Sequence, residues 1–179
     1  MIVLIIIVLL VLWGISAYNQ LIGSNERVAN AMAQIAAQVE SRWDALTNLI
    51  QATKSYQSHE FETLTQIVRE RSGNVSRDAS VQDIEKDQSA FTQAMRNLDI
   101  VVEQYPDLKA STIYQQTMTS VNQYENNVRE SRMIYNDTVT RFNRQIKVFP
   151  NSIIAGMGGF TEKDYFKNTA EKTEMPTWE

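Results

Sequence analysis

The chain has 179 residues, 43% of them hydrophobic, and 17 Lys and Arg against 21 Asp and Glu give a net charge of −4. This length favours one domain with an appendage, and the absence of cysteine excludes disulfides, thiolate nucleophiles, zinc-thiolate sites and iron–sulfur ligation. The mildly acidic, interspersed charge argues against a nucleic-acid partner, which needs concentrated Lys and Arg, and no basic block suited to anionic lipid stands out.

The first element is apolar. Residues 2–17 carry no charge, and with Tyr18 to Ile22 the run reaches residue 22. About 21 helical residues at roughly 1.5 Å each cross a hydrocarbon core of about 30 Å. Trp13 and Tyr18 lie towards the C-terminal end of the run, where amphipathic rings suit the headgroup zone, and both are candidate membrane-interface anchors. A cleaved signal peptide is the competing reading, but no basic residue precedes the apolar run and Ser16-Ala17-Tyr18 is a poor cleavage context. Residues 1–22 are therefore expected to be a single-pass anchor. Orientation is weakly specified: Arg27 is the nearest basic residue on the C-terminal side, beside Glu26, and leans slightly towards a cytoplasmic body.

From Asn25 to about Arg71 apolar residues recur at steps of three and four: Val28, Met32, Ile35, Val39, Trp43, Leu46, Ile50, then Phe61, Leu64 and Val68. That is the stripe of a long helix burying one face. Ser72-Gly73-Asn74 is the expected stop. A second helix starts near Ser80, capped by Asp78 or Ser80, with the stripe Val81, Ile84, Gln88, Phe91, Met95, Leu98 and Val102. It ends at Tyr105-Pro106, because the residue before proline avoids the helical region. A third follows Lys109-Ala110-Ser111 and carries Ile113, Met118, Val121, Tyr124, Val128, Tyr135, Val139, Phe142 and Ile146 until Pro150. The second helix is shorter than its neighbours and leaves part of the long pair uncovered. A short fourth helix around Ile153, Ile154, Met157 and Phe160 is expected to fill that gap. The spacing thus predicts an all-α protein: an N-terminal transmembrane helix, then an elongated antiparallel bundle of three main helices plus a short C-terminal one. Residues 23–167 form the bundle and 168–179 a polar tail.

The residues just traversed carry a family pattern. Tyr18-Asn19-x-Leu21 follows the anchor, then Asn25-Glu26-Arg27-Val28-x-x-Ala31 and Gln34-Ile35. Arg42-Trp43-x-x-Leu46-x-Asn48-Leu49 comes next, and Glu60-x-x-Thr63-Leu64 after it. Tyr105-Pro106-x-Leu108-Lys109-Ala110 is the most specific block. Glu125-Asn126-x-Val128, Arg132-x-x-Tyr135-Asn136, Phe142-Asn143, Phe149-Pro150 and Tyr165-Phe166 close it. Over nearly the whole chain this resembles the bacterial LemA family, with local departures at Trp43, where a His is frequent, and Thr47, where a Pro is frequent. The resemblance implies a single anchor, a helical bundle and a bacterial membrane. It implies no defined activity; family members are associated with membrane proteases and with membrane remodelling.

Catalytic chemistry is hard to assemble from these residues. His59 is the single histidine, so neither a Glu-x-x-His pair on facing helices nor His-Glu-x-x-His is possible. Gly156-Met157-Gly158-Gly159 lacks the Lys-Ser/Thr and the preceding strand of a phosphate loop, and reads as a hinge or helix cap. Tyr124, Tyr135 and Phe142 read as core. Glu125, Arg129, Arg132 and Asn136 fall at three- and four-residue steps, near one helix face. With Asn143 they form a candidate polar network or interface, and Asn48 and Asn136 are candidates for setting bundle register. No catalytic residue, cofactor or metal is expected. The expected function is a non-enzymatic, membrane-anchored scaffold that self-assembles as a coiled-bundle homo-oligomer, with the lipid bilayer as its first partner. An accessory module for another membrane protein, such as a membrane protease, is the alternative.

Overall fold

In the computed structural model of the chain, residues 1–52, 62, 65, 66, 68 and 79–167 are described. Among the described residues five helices are delimited: α1 Ile2–Ala52, α2 Val81–Gln104, α3 Pro106–Ala110, α4 Thr112–Lys147 and α5 Asn151–Met157. Among the described residues there is no strand. The expected stop at Ser72-Gly73-Asn74, His59 and the tail 168–179 lie outside the described residues.

Helix α1 runs unbroken through Gly23-Ser24-Asn25. Its 51 residues make about 77 Å of continuous helix at roughly 1.5 Å per residue. Two environments divide it. Ile2 to Leu12 are all exposed, whereas Leu21, Ile35, Val39, Trp43 and Leu46 are sealed in the core. Inside the bundle the apolar stripe holds its register: Val28, Met32, Ile35, Val39, Trp43, Leu46 and Ile50 are all buried. Fully burying a side chain of this size contributes about 1.5–3 kcal/mol over leaving it in water, which is why the stripe and not helix propensity fixes the face.

The cap chemistry explains where α2 and α4 begin. The Ser80 hydroxyl accepts from the Asp83 amide, and the Asp83 carboxylate accepts from the Ser80 amide, a reciprocal capping box. The paired hydroxyl and backbone donors hold the Asp83 carboxyl below the ordinary carboxylate value. Ser111 caps α4 through the Tyr114 amide. Between them Pro106 opens a five-residue helix, α3, that the periodicity did not show; proline suits the first helical position because its missing N–H would have no partner there. Helix α4 stops at Lys147, two residues before the expected end at Phe149 ahead of Pro150.

Paired residues give the directions of the helices. Ser24 meets Gln145, Gln38 meets Asn127 and Arg42 meets Glu125, so α1 and α4 are antiparallel. Helix α2 lies parallel to α1 and antiparallel to α4: its start, Val81, shares a cleft with Val28 and Met32, and further along Asp87 and Phe91 reach Arg42 and Trp43. The expected fourth helix is present as α5, but it packs against the N-terminal, apolar part of α1, where Ile154 approaches Gly14 to 3.8 Å from an ideal Cβ. The α1–α4 surface below α2 is covered instead by a non-helical strap, residues 160–167, whose Phe166 is buried.

Candidate functional site

The middle of the bundle holds a charged cluster. Arg42 is completely buried on α1, next to Trp43 in the apolar stripe. One Nη donates to Gln88 Oε1 at 2.8 Å and to the Glu125 carboxylate; the other donates to Asp87 at 2.8 Å. The guanidinium also lies 4.3 Å from the centre of the Phe91 ring. The Trp43 indole N–H donates to Asp87 at 3.1 Å, and its ring meets Phe91 edge-on at 5.0 Å. One cation on α1 thereby ties two carboxylates on two different helices, α2 and α4. A buried ion cluster of this kind adds little net stability over apolar packing, but breaking it by removing one partner is expensive. Its chemical effect is to fix which residues of α1, α2 and α4 lie level with one another.

Arg132 sits below this cluster on α4. Its guanidinium lies 5.0 Å from the Phe166 ring centre, and among the described residues its Nε and one Nη are buried without a hydrogen-bond partner. Burial first, then repulsion from Arg42, lowers its proton affinity, while Glu125 and Glu85 act in the opposite direction.

Two asparagines on α4 grip the strap. The Asn143 amide donates to the Lys163 carbonyl and accepts from the Lys163 amide, both at 2.9 Å. Asn136 makes the same pair with Phe166, both at 3.0 Å. Seven helical residues rise about 10.5 Å and three extended residues span about 10 Å, so the two side chains match the repeat of an extended chain. Each supplies the donor and acceptor that a neighbouring strand would supply. The Tyr135 hydroxyl donates to the Asp164 carbonyl at 3.2 Å, and its ring meets Phe166 edge-on at 5.1 Å. Burial, with the Asp164 charge adding to it, raises the Tyr135 phenol above its ordinary value.

The strap is aimed by glycine. Gly159 takes φ +71°, a conformation open to glycine without a Cβ penalty. It closes α5 with Phe160 N–H donating to the Ala155 carbonyl and Gly159 N–H to that of Gly156, the Schellman pattern. Phe160 then folds back onto Tyr18 and Phe142. A Cβ at Gly158 would stand 2.7 Å from Phe160 and 3.0 Å from Tyr18, so the turn seats directly against α1.

The structure therefore brings Glu125, Arg132, Asn136 and Asn143 inward, in two different settings, the ion cluster and the strap. Arg129 and Asn48 are exposed, Asn48 on the rim of a shallow groove with Ile113 and Tyr124. Trp13 and Tyr18 are exposed, on the apolar segment and just after it. The sequence reading passed over Arg42, Asp87 and Gln88 as a cluster. Its signal was a polar residue, Gln88, inside the α2 apolar stripe, at the helical spacing of core positions. Among the described residues no group of three or more His, Cys, Asp or Glu side chains is placed to hold a metal.

A family model described as the LemA family matches residues 31–179. The chain is 29% identical over 137 residues to Protein LemA of Metamycoplasma hominis, covering 76% of this chain and 63% of that protein. It is 32% identical over 77 residues to Magnetosome protein MamQ 2 of Paramagnetospirillum magneticum and 30% over 76 residues to Magnetosome protein MamQ of Magnetospirillum gryphiswaldense. Those matches cover 43% and 42% of this chain. The chain spans under two thirds of the LemA relative's length and 28% of each magnetosome relative's.

Proposed function

Because this chain belongs to the LemA family of membrane-associated proteins, we propose that it is a non-enzymatic structural protein whose bundle stands as a rod on the bilayer and assembles side by side with copies of itself. The observation that carries this reading is the unbroken α1, Ile2–Ala52. An apolar segment continuous with a core helix transmits the orientation of the anchor to the whole bundle, which a flexible linker does not. The ion cluster supports the same role, since it holds three helices in one register. The exposed Ile100, Met133 and Ile134 on the bundle body offer apolar contact between neighbouring rods.

The test is cross-linking in intact membranes followed by mass measurement. Ladders made of this chain alone support the scaffold. A single stoichiometric species joining this chain to one other membrane protein replaces it with the accessory-module reading.

A further inference from the structure

Large exposed apolar side chains on α1 run from Ile2 to Tyr18, but Ala17 and Leu21, on the face turned to the bundle, are covered. Seventeen helical residues rise about 26 Å, against a hydrocarbon core of about 30 Å. On the bundle-facing side, apolar surface open to lipid ends at about the level of Ala17.

The corner between α4 and α5 lies at that level. Ile154 packs on Gly14 and Gly158 on Tyr18, while Phe160 meets Tyr18 ring to ring at 5.8 Å. At this corner Val148, Phe149, Ile153 and Met157 are 50%, 77%, 53% and 83% exposed. Four adjacent apolar side chains this open at the end of a bundle are costly in water. The charge pattern agrees. Residues 148–161 contain no Asp, Glu, Lys or Arg, and neither do residues 1–25. The charges that flank the corner, Lys147 and Glu162, pair with each other at 2.7 Å, and Glu26 is the first charge on α1. Both uncharged stretches therefore end within one helical turn of the level where Ser24 meets Gln145, Glu26 just beyond it and Lys147 just before it.

We propose that the α4–α5 corner, through Val148, Phe149, Ile153 and Met157, is a second membrane contact, seated among lipid acyl chains beside the anchor. This rests on the reading of residues 1–22 as a membrane span. The corner completes the apolar band that α1 begins, so the base of the bundle is embedded and α1 does not stand alone in the bilayer. An interfacial helix of this sort binds through its buried apolar area, with flanking cations at headgroup level; the exposed Arg144 and Lys147 occupy that place.

The chain has no cysteine, so single-site labels are unambiguous. Phe149→Cys, Ile153→Cys and Met157→Cys are made in the full chain, with Ile7→Cys on the anchor and Gln123→Cys on the exposed side of α4 as references. Each is nitroxide-labelled and reconstituted in phosphatidylcholine–phosphatidylglycerol vesicles, and the collision rates with oxygen and with a water-soluble nickel chelate are compared. The expected result is an oxygen-to-nickel ratio at the three corner sites several-fold above that at position 123 and close to that at position 7. Corner ratios equal to position 123, with position 7 still oxygen-rich, overturn the second contact and leave the anchor standing. Corner labels shielded from both reagents and broadened by mutual spin coupling overturn it in favour of a second copy covering the corner. A nickel-accessible position 7 overturns the anchor itself, and the corner contact with it.

Discussion

Arg42 concentrates the energetics of the bundle in one side chain. It is fully buried, and its three hydrogen-bond partners come from two other helices. Replacing it by Met keeps the volume but removes the cation shared by the nearly buried Asp87 and the part-exposed Glu125. Removing one partner of a buried ion cluster typically costs about 3–5 kcal/mol, and Arg42→Met is expected to lose that much in urea denaturation. The triple replacement Arg42→Met, Asp87→Leu, Glu125→Leu is expected to recover most of the loss, because no charge is then left stranded. A triple variant as unstable as the single one would show that packing, not charge, is at stake. Asp83 gives a pH signature at the same scale. Its folded pKa is depressed by the Ser80 cap, so its contribution is present above the unfolded value of 3.8 and is lost as pH falls through the lower folded value. The stability difference between wild type and Asp83→Asn should be measurable at neutral pH and vanish in strong acid. A difference that persists below that window contradicts the cap assignment.

At the scale of elements, the helices follow from periodicity and the strap does not. The stripes of α1, α2 and α4 name most of the buried residues because burying one face of a helix dictates a three-and-four spacing. Ser80, Ser111 and Pro106 mark helix ends for local reasons that need no tertiary contact. The strap 160–167 has no repeating pattern to betray it. It holds its place through two distant asparagines, and Asn136 and Asn143 carry no local mark that they serve backbone on another segment. The same holds for Arg42: a basic residue beside an apolar stripe is ordinarily a solvated flank, and only the partners brought by α2 and α4 make it core. For the strap, Asn136→Ala with Asn143→Ala removes four hydrogen bonds. Amide exchange at Lys163 and Phe166 is expected to speed up sharply in that double variant, with α1 and α4 core amides unchanged. Uniform acceleration across all helices would instead assign the asparagines to global stability.

For the whole molecule, the decisive feature is that the apolar N-terminal segment and the bundle share one helix. The sequence left this open at Gly23-Ser24-Asn25, three residues of poor helix propensity. Packing decides it: Ser24 is buried, its hydroxyl lies 2.6 Å from Gln145 Oε1 and 2.9 Å from the Gln20 carbonyl, and it accepts from Arg27 at 2.7 Å. Residues 23–52 then carry the bundle about 45 Å beyond the apolar segment. Averaged particle images of the full chain extracted in mild detergent test the proposal of a rigid, self-assembling rod most directly. The account predicts several parallel rods rising side by side from one micelle, each in a fixed direction continuous with its anchor. Single-copy particles, or bundles scattered at all angles to the micelle, would contradict it.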